Sequence, residues 1–224
     1  EVEALHARGI AAMVPLNCTI WETAWYMRSM EEMMVGMMTD DPLTERHFER
    51  ITVLAEQRAA AFASCGAHLL HLGDDIGMQQ TIMMSHELYR KHLKPRLARV
   101  VQAAKAAKPD MVITYHSCGY VTPFITDLME AGVEVLSPVQ PECMDFAEIH
   151  AEYGKKLSFW GTVGTQSTMP FGTPDEVKAV VRRNLEIAGE AGGLLCTPTH
   201  LLEPEVPWEN IEAYVEACRE FRLA

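Results

Sequence analysis

The segment His116-Ser117-Cys118 places two metal-binding side chains two residues apart. It follows an apolar run, residues 111–115, that has the length of a buried strand. Side chains two residues apart in an extended chain point the same way, so the imidazole and the thiolate converge as a pair of ligands for Zn²⁺. The alternative is a strand-end histidine beside a small buried thiol, since an HxC pair also arises by chance. The pair predicts two ligands of a zinc site.

A third candidate ligand, His200, follows the last apolar run of the chain, residues 193–197. In a barrel of parallel strands the carboxyl ends meet around one mouth, where His200 would join the HxC pair. Three protein ligands with an open fourth position are typical of catalytic zinc, which can hold a substrate thiol as a thiolate or polarise an oxygen atom. Cys143, on a loop, is an alternative third ligand. Cys196 is another, although a small core thiol is the usual role of a cysteine inside an apolar strand.

Polar side chains also follow other apolar runs of the sequence. Asp74 and Asp75 are adjacent, so one carboxylate can face the mouth while the other caps the following loop; a solvated loop pair is the alternative. We predict Asp74 as the catalytic residue, an anion that accepts a hydrogen bond from substrate, acts as a base or orients a metal ligand. The predicted substrate-binding residues are Asn17, Asp75, Gln140 and Trp160.

Six apolar runs of strand length alternate with helical patterns. Each run is too uniformly apolar for a half-exposed antiparallel strand, so the pattern predicts a parallel sheet covered by helices, an α/β fold. Glycines that end helices precede most of these runs: Gly9, Gly66, Gly132, Gly154 and Gly192. The predicted strands are residues 10–16, 67–72, 111–115, 133–137, 157–161 and 193–197.

Start signals mark the helices between these strands. Thr173 is an N-cap followed by Pro174 and by Glu176 three positions on, a full capping box. Asp41-Pro42, Ser85 and Thr122-Pro123 mark three other starts. The predicted helices are residues 42–64, 88–107, 124–131 and 177–191.

Two α/β architectures compete for this pattern. An open doubly wound sheet usually has a glycine-rich first turn, and neither GxGxxG nor GxxxxGK[ST] occurs in the sequence. A (β/α)8 barrel of the TIM type instead places polar residues after many strands, as here. We therefore predict one barrel domain over residues 1–224 that holds about the last six strands. Residues 1–8 resemble the end of a helix, so we expect that the first strands of the barrel are missing from this sequence. An upstream segment, a partner chain or an alternative closure of the sheet would then complete the barrel.

Composition limits the partners. The 224 residues are 48% hydrophobic and carry a formal net charge of −12, which disfavours binding to nucleic acid and to anionic membrane surfaces. No apolar stretch approaches the ~20 residues of a membrane span, and no signal peptide is recognisable, so we expect a cytoplasmic protein. The six cysteines include no CxxC pair and are expected to be free thiols or metal ligands.

Taken together, these residues resemble the uroporphyrinogen decarboxylase superfamily, including its methyltransferase branch that serves corrinoid proteins. The resemblance covers nearly the whole chain. It rests on Gly73-Asp74-Asp75-Ile76-Gly77, Ser85-His86-Glu87-Leu88-Tyr89, Tyr115-His116-Ser117-Cys118-Gly119, Pro138-Val139-Gln140-Pro141, Phe159-Trp160-Gly161, Phe171-Gly172-Thr173-Pro174 and Thr197-Pro198-Thr199-His200.

The resemblance implies a (β/α)8 barrel, of which roughly the first third of a typical member is absent here, and one of two activities. Methyltransferases of the branch hold zinc through an HxC pair and a later cysteine, and pass a methyl group between a corrinoid and a thiol such as coenzyme M. His116 and Cys118 match that pair, whereas His200 stands where the branch has its last cysteine. Decarboxylases of the superfamily use neither metal nor cofactor and depend on an arginine-rich motif in the N-terminal third.

We therefore expect a zinc-dependent methyltransferase or demethylase that works on a small-molecule substrate with a corrinoid protein. The first alternative is a decarboxylase of a porphyrinogen-like polyacid, which would need cationic groups that the strand-end segments hardly offer. The second is a non-catalytic remnant whose barrel another chain completes. A second copy of the chain, or a second chain that completes the barrel, is a further candidate partner.

Overall fold

The computed structural model describes residues 1–189 and 192–221. The chain divides into two compact units. Unit 1 comprises Glu1–Ile76, Ile82–Ser117 and Pro123–Glu134. Unit 2 comprises Gly77–Thr81, Cys118–Thr122 and the described part of 135–224. Each unit alternates parallel strands with helices, which confirms the predicted α/β class.

Unit 1 contains three parallel strands in the order β1-β2-β3. In their register Asn17 pairs with Gly73, and Gly73 pairs with His116. The last residues of the three strands therefore form one row, where side chains following the strands can meet. The elements are α1 (Val2–His6), β1 (Met13–Asn17), α2 (Trp21–Met27), α3 (Met30–Met38), α4 (Pro42–Ser64), β2 (Leu69–Gly73), α5 (His86–Leu88), a π-helical turn (Tyr89–Leu93), α6 (Lys94–Ala107), β3 (Val112–His116), a 3₁₀ turn (Thr122–Phe124) that ends in this unit, and α7 (Ile125–Glu130).

Helices α4 and α6 form the outer layer of unit 1. Their facing sides are joined by Arg99, whose guanidinium donates to the carboxylates of Glu49 and Glu56 at 2.8–3.0 Å. Helix α3 packs closely on the first turn of α4, because a Cβ atom at Gly36 would lie 2.0 Å from the Thr44 hydroxyl. Thr44 is fully buried, so only glycine allows this approach.

The predicted helix 88–107 is divided in the structure. Ser85 caps it as expected, its side chain accepting the N–H of Leu88. The turn that follows is π-helical, and α6 begins just before Pro95. Proline lacks the N–H of a continuing helix and its ring crowds the preceding turn, so the wider π turn accommodates Pro95.

Unit 2 contains three parallel strands in the order β4-β5-β6. Leu136 pairs with Phe159, and Gly161 pairs with Cys196. Helices α10 and α11 bury an apolar core that includes Val163, Met169, Val177, Val181, Cys196, Val206 and Ala213. The elements are β4 (Val135–Ser137), α8 (Phe146–Tyr153), β5 (Ser158–Val163), α9 (Thr168–Phe171), α10 (Pro174–Ala188), β6 (Leu194–Pro198) and α11 (Trp208–Glu220).

The predicted element boundaries agree with the structure within a few residues. The strands lie later than expected, because the first apolar residues of each run belong to the preceding loop; Ile10, for example, is 40% exposed. The capping box at Thr173 is confirmed. The last predicted helix ends at Ala188, and its predicted final residue, Ala191, lies outside the described residues.

Four of the five predicted helix-ending glycines have positive φ angles: Gly9, Gly66, Gly132 and Gly192. Gly154 differs, because it ends α8 with φ −60° and needs no left-handed backbone. The single barrel domain over 1–224 stays a prediction. Among the described residues, no helix is both long and apolar enough to cross a membrane.

Candidate functional site

Three backbone and side-chain contacts hold the HxC segment at the end of β3 in unit 1. His116 is the last residue of the strand, and its carbonyl accepts the N–H of Asp74 at 3.2 Å. Ser117 is buried, and its hydroxyl accepts the N–H of Ile76 at 3.0 Å. The ring of His116 lies 6.0 Å from that of His71, centroid to centroid. Asn17, at the end of β1, is exposed.

Asp74 is held by the amino end of α2. Its carboxylate accepts the N–H of Ile20 at 3.0 and 3.1 Å and that of Glu22 at 2.9 Å, and the residue is only 4% exposed. Burial raises the pKa of Asp74 to about 7, against the opposing effect of these N–H groups. The alternative of a solvated loop pair does not hold for Asp74, which is buried and caps a helix distant in sequence.

Two titratable side chains close to this cap, Glu22 and Cys18, were not predicted as site residues. Glu22 accepts the N–H of Asp75 at 3.3 Å, and burial raises the pKa of Glu22, helped by the charge of Asp75. Burial, together with the carboxylates of Glu22 and Asp74, raises the pKa of Cys18 to about 11. This thiol therefore stays protonated at neutral pH.

Unit 2 contains a cavity of about 430 Å³ that includes two of the predicted metal ligands. Cys118 and His200 both line it, and the Sγ atom of Cys118 lies within 4.8 Å of a ring nitrogen of His200. Cys118 is half-buried and His200 is exposed. The remaining lining residues are Gln140, Thr165, Gln166, Pro170, Phe171, Thr199, Leu201, Glu203 and Glu205.

The loop that carries Cys118 is fixed by buried contacts. Gln140 is buried, and its Oε1 atom accepts the N–H of Gly119 at 3.0 Å. The N–H of Tyr120 donates to the Met78 carbonyl at 2.7 Å. Gly77 faces this loop so closely that a Cβ atom there would lie 2.9 Å from the Cys118 carbonyl oxygen. Gln140 thus lines the cavity and also holds the backbone beside the thiol.

Two threonines hold the segment that carries His200. The N–H of Thr199 donates to the carbonyl of Val163, at the end of β5, at 2.9 Å. The hydroxyl of Thr199 lies 3.0 Å from that of Thr165 and accepts the Thr165 N–H at 3.3 Å. These bonds hold the backbone directly before His200 in place.

The two rival cysteines do not line this cavity. Cys196 is buried in β6, where burial raises its pKa to about 12, so its expected role as a core thiol is confirmed. Cys143 lines a different cavity, of about 420 Å³, and burial raises its pKa. Trp160 is half-buried in β5, paired with Leu195. It is not among the residues that line the cavity of Cys118 and His200.

The donor set suits zinc. Two ligands of tetrahedral zinc, a thiolate and an imidazole, lie roughly 3.5 Å apart, so small side-chain rotations suffice for Cys118 and His200 to share one ion. His116 is separated from Cys118 by one residue, and two residues of extended chain span at most about 7 Å. Within unit 2, Cys118 and His200 therefore offer one thiolate and one imidazole to such an ion.

The chain is similar in sequence to a known family and to several characterised proteins. The family model described as "Uroporphyrinogen decarboxylase (URO-D)" matches residues 16–221. A "Methylated-thiol--coenzyme M methyltransferase" of Methanosarcina mazei is 24% identical over 95% of this chain and 54% of its own length. A "Methylcobamide:CoM methyltransferase MtaA" of Methanosarcina barkeri is 27% identical over 86% and 53%. A "Uroporphyrinogen decarboxylase" of Pelodictyon phaeoclathratiforme is 27% identical over 61% and 38%. The chain thus spans about half the length of the methyltransferase relatives.

A solved structure, "methyltransferase from Methanosarcina mazei", superposes with a TM-score of 0.76 at 24% identity, covering 94% of this chain and 59% of its own. This likeness and the family match confirm the predicted fold class, that of a TIM-barrel-type α/β protein. Because the family model matches most of the sequence, the chain belongs to the uroporphyrinogen decarboxylase (URO-D) family.

Proposed function

We propose that the protein is a zinc-dependent methyltransferase that moves a methyl group between a corrinoid protein and a small thiol. The observation that carries this proposal is the approach of Cys118 Sγ to within 4.8 Å of a His200 nitrogen beside a cavity of about 430 Å³. The names of the two Methanosarcina relatives support the reaction class.

His116, Cys118 and His200 would hold the ion. Bound zinc would lower the pKa of a substrate thiol and keep it as a thiolate. Methyl transfer to this thiol forms a carbon–sulfur bond and breaks the cobalt–carbon bond of a methylcorrinoid. Both electrons of the broken bond stay on the corrinoid, and the thiol proton leaves to solvent. The reverse direction, demethylation of a thioether, uses the same groups.

The other predicted residues have supporting roles in this proposal. Asp74 stays the predicted catalytic residue, and its carboxylate is engaged by the N–H groups of Ile20 and Glu22. Gln140 lines the cavity and holds the Gly119 backbone. Asn17, Asp75 and Trp160 stay predicted substrate contacts, and the corrinoid protein, self-assembly and a cytoplasmic location stay predictions.

Decarboxylation of a polyacid is the weaker alternative, although a decarboxylase is among the relatives. Such a substrate needs cationic side chains to bind its carboxylates. In the described part of the chain, no lysine or arginine lines the cavity. The charge of this cavity thus favours methyl transfer over decarboxylation.

Zinc content and methyl transfer test the proposal on the same preparations. We expect about one zinc per wild-type chain and transfer from methylcobalamin to a thiol, and loss of both in Cys118→Ala and in His200→Ala. Cys143→Ala and Cys196→Ala are matched controls, because neither thiol lines the cavity. Circular dichroism checks that each variant is folded. Full zinc content and full transfer activity in folded Cys118→Ala would refute the proposal, and a protein without zinc would favour the decarboxylase or the non-catalytic alternative.

A further inference from the structure

The cavity beside Cys118 and His200 is negatively charged. Two of its lining residues carry carboxylates, Glu203 and Glu205, and no lysine or arginine of residues 1–189 and 192–221 lines it. The lysines and arginines that the structure describes in unit 2 do not line this cavity; they are Lys155, Lys156, Lys178, Arg182, Arg183 and Arg219. A ligand bound through its sulfur at the proposed zinc ion therefore extends its tail into a cavity whose described charged side chains are these two carboxylates.

The loop that carries the two glutamates is anchored to the core of unit 2. Leu202 and Val206 pack into this core, and Val206 is only 9% exposed. The N–H of Val206 donates to the Glu203 carbonyl at 3.0 Å, which closes a tight turn around Pro204. Glu203 and Glu205 are exposed and lie between half-buried Leu202 and buried Val206. The carboxylates are thus held at the cavity by their apolar neighbours.

We infer that the methyl-accepting thiol carries a positive charge, and that Glu203 and Glu205 select it over an anionic thiol. This inference rests on the proposed function, because it names the substrate class of the same site. A cationic tail gains a favourable Coulomb interaction with the two carboxylates, whereas a sulfonate or carboxylate tail is repelled. The preferred substrate is therefore an aminothiol, in contrast to the coenzyme M named in two relatives.

The expected selectivity is moderate, because exposed carboxylates are screened by water and salt. Each glutamate changes the ratio between a cationic and an anionic thiol by about two- to fivefold. The two together give a ratio of about tenfold at low ionic strength. Salt at about 0.5 M, several times the physiological ionic strength, screens these charges and reduces the ratio.

Three thiols of equal carbon length test the inference: 2-aminoethanethiol, 2-mercaptoethanol and 2-mercaptoethanesulfonate. We measure kcat/KM with excess methylcobalamin, normalised to the thiolate fraction of each compound, and the Kd of each for zinc-loaded protein by calorimetry. Wild-type protein should prefer the amine, then the alcohol, then the sulfonate in both measurements. The double variant Glu203→Gln with Glu205→Gln should bring the three values within about twofold of one another.

Glu209→Gln is the matched control, since Glu209 is also an exposed glutamate of unit 2 but does not line the cavity; it should keep the wild-type order. A wild-type preference for the sulfonate, or an order that the double variant leaves unchanged, would overturn the inference. Failure of the proposed function looks different: the chain then binds no zinc or methylates none of the three thiols. In that case the ratio of the amine and sulfonate Kd values, measured on the protein as purified, still decides the charge preference, and a ratio near one refutes it.

Discussion

Replacing Asp74 with asparagine should change how the stability of the protein depends on pH. The Asp74 carboxyl is buried and its pKa is about 7, compared with an ordinary value of 3.8 in an unfolded chain. Between these two values the folded state binds more protons than the unfolded state, so the free energy of unfolding falls as pH rises. The stabilisation is complete below pH 4 and is lost as pH rises through 7.

The size of the effect follows from the two pKa values. They differ by about three units, and each unit corresponds to about 1.4 kcal/mol, so ionisation of Asp74 lowers the free energy of unfolding by about 4 kcal/mol between pH 4 and pH 8. An asparagine does not ionise. Its side-chain NH₂ group replaces one of the two acceptor oxygens, so a donor then faces the N–H groups of Ile20 and Glu22. This costs about 1–3 kcal/mol at every pH.

Urea unfolding at half-unit steps from pH 4 to pH 8 measures the prediction. Asp74→Asn should be less stable than wild type at pH 5, and the difference should shrink or reverse by pH 8. Glu31→Gln, at an exposed position in the first turn of α3, is the control and should run parallel to wild type. If the wild-type and Asp74→Asn curves are also parallel, Asp74 ionises like an ordinary aspartate and the argument from burial is wrong.

Two further substitutions test the packing and the capping that support the site. Thr173→Ala removes the hydroxyl that accepts the Glu176 N–H at 3.3 Å, and should lower the free energy of unfolding by about 1 kcal/mol; no change would show that the capping box does not stabilise α10. Gly36→Ala places a Cβ atom 2.0 Å from the Thr44 hydroxyl, and should cost about 1–3 kcal/mol in the same urea assay; a neutral result would contradict the close approach of α3 and α4.

Sequence patterns were sufficient for the class of fold, because hydrophobic runs and caps are local signals. The parallel strands and the Thr173 capping box follow from them directly. Their boundaries were less predictable, since Ile10 is apolar yet lies exposed before β1. The π turn before Pro95 was also missed, because a proline inside a helical pattern can be accommodated in more than one way.

The candidate site was predictable where it depends on strand ends. Cys118 and His200 follow different strands and lie close together, as the rule for parallel strands implies. Their role as zinc ligands stays a prediction. The role of Asp74 was harder to predict, because its N–H partners on α2 are more than fifty residues away in sequence. Glu203 and Glu205 gave no signal in the sequence, since only the anchored loop places them at the cavity.

X-ray absorption at the zinc edge tests the central claim most directly, because it counts the atoms that bind the metal. Our account predicts one sulfur at about 2.3 Å and two imidazole nitrogens at about 2.0–2.1 Å, with the sulfur lost in Cys118→Ala. The remaining position is open to an added thiol, which should add a second sulfur. A zinc shell without sulfur, or an unchanged sulfur shell in Cys118→Ala, would contradict the assignment of His116, Cys118 and His200.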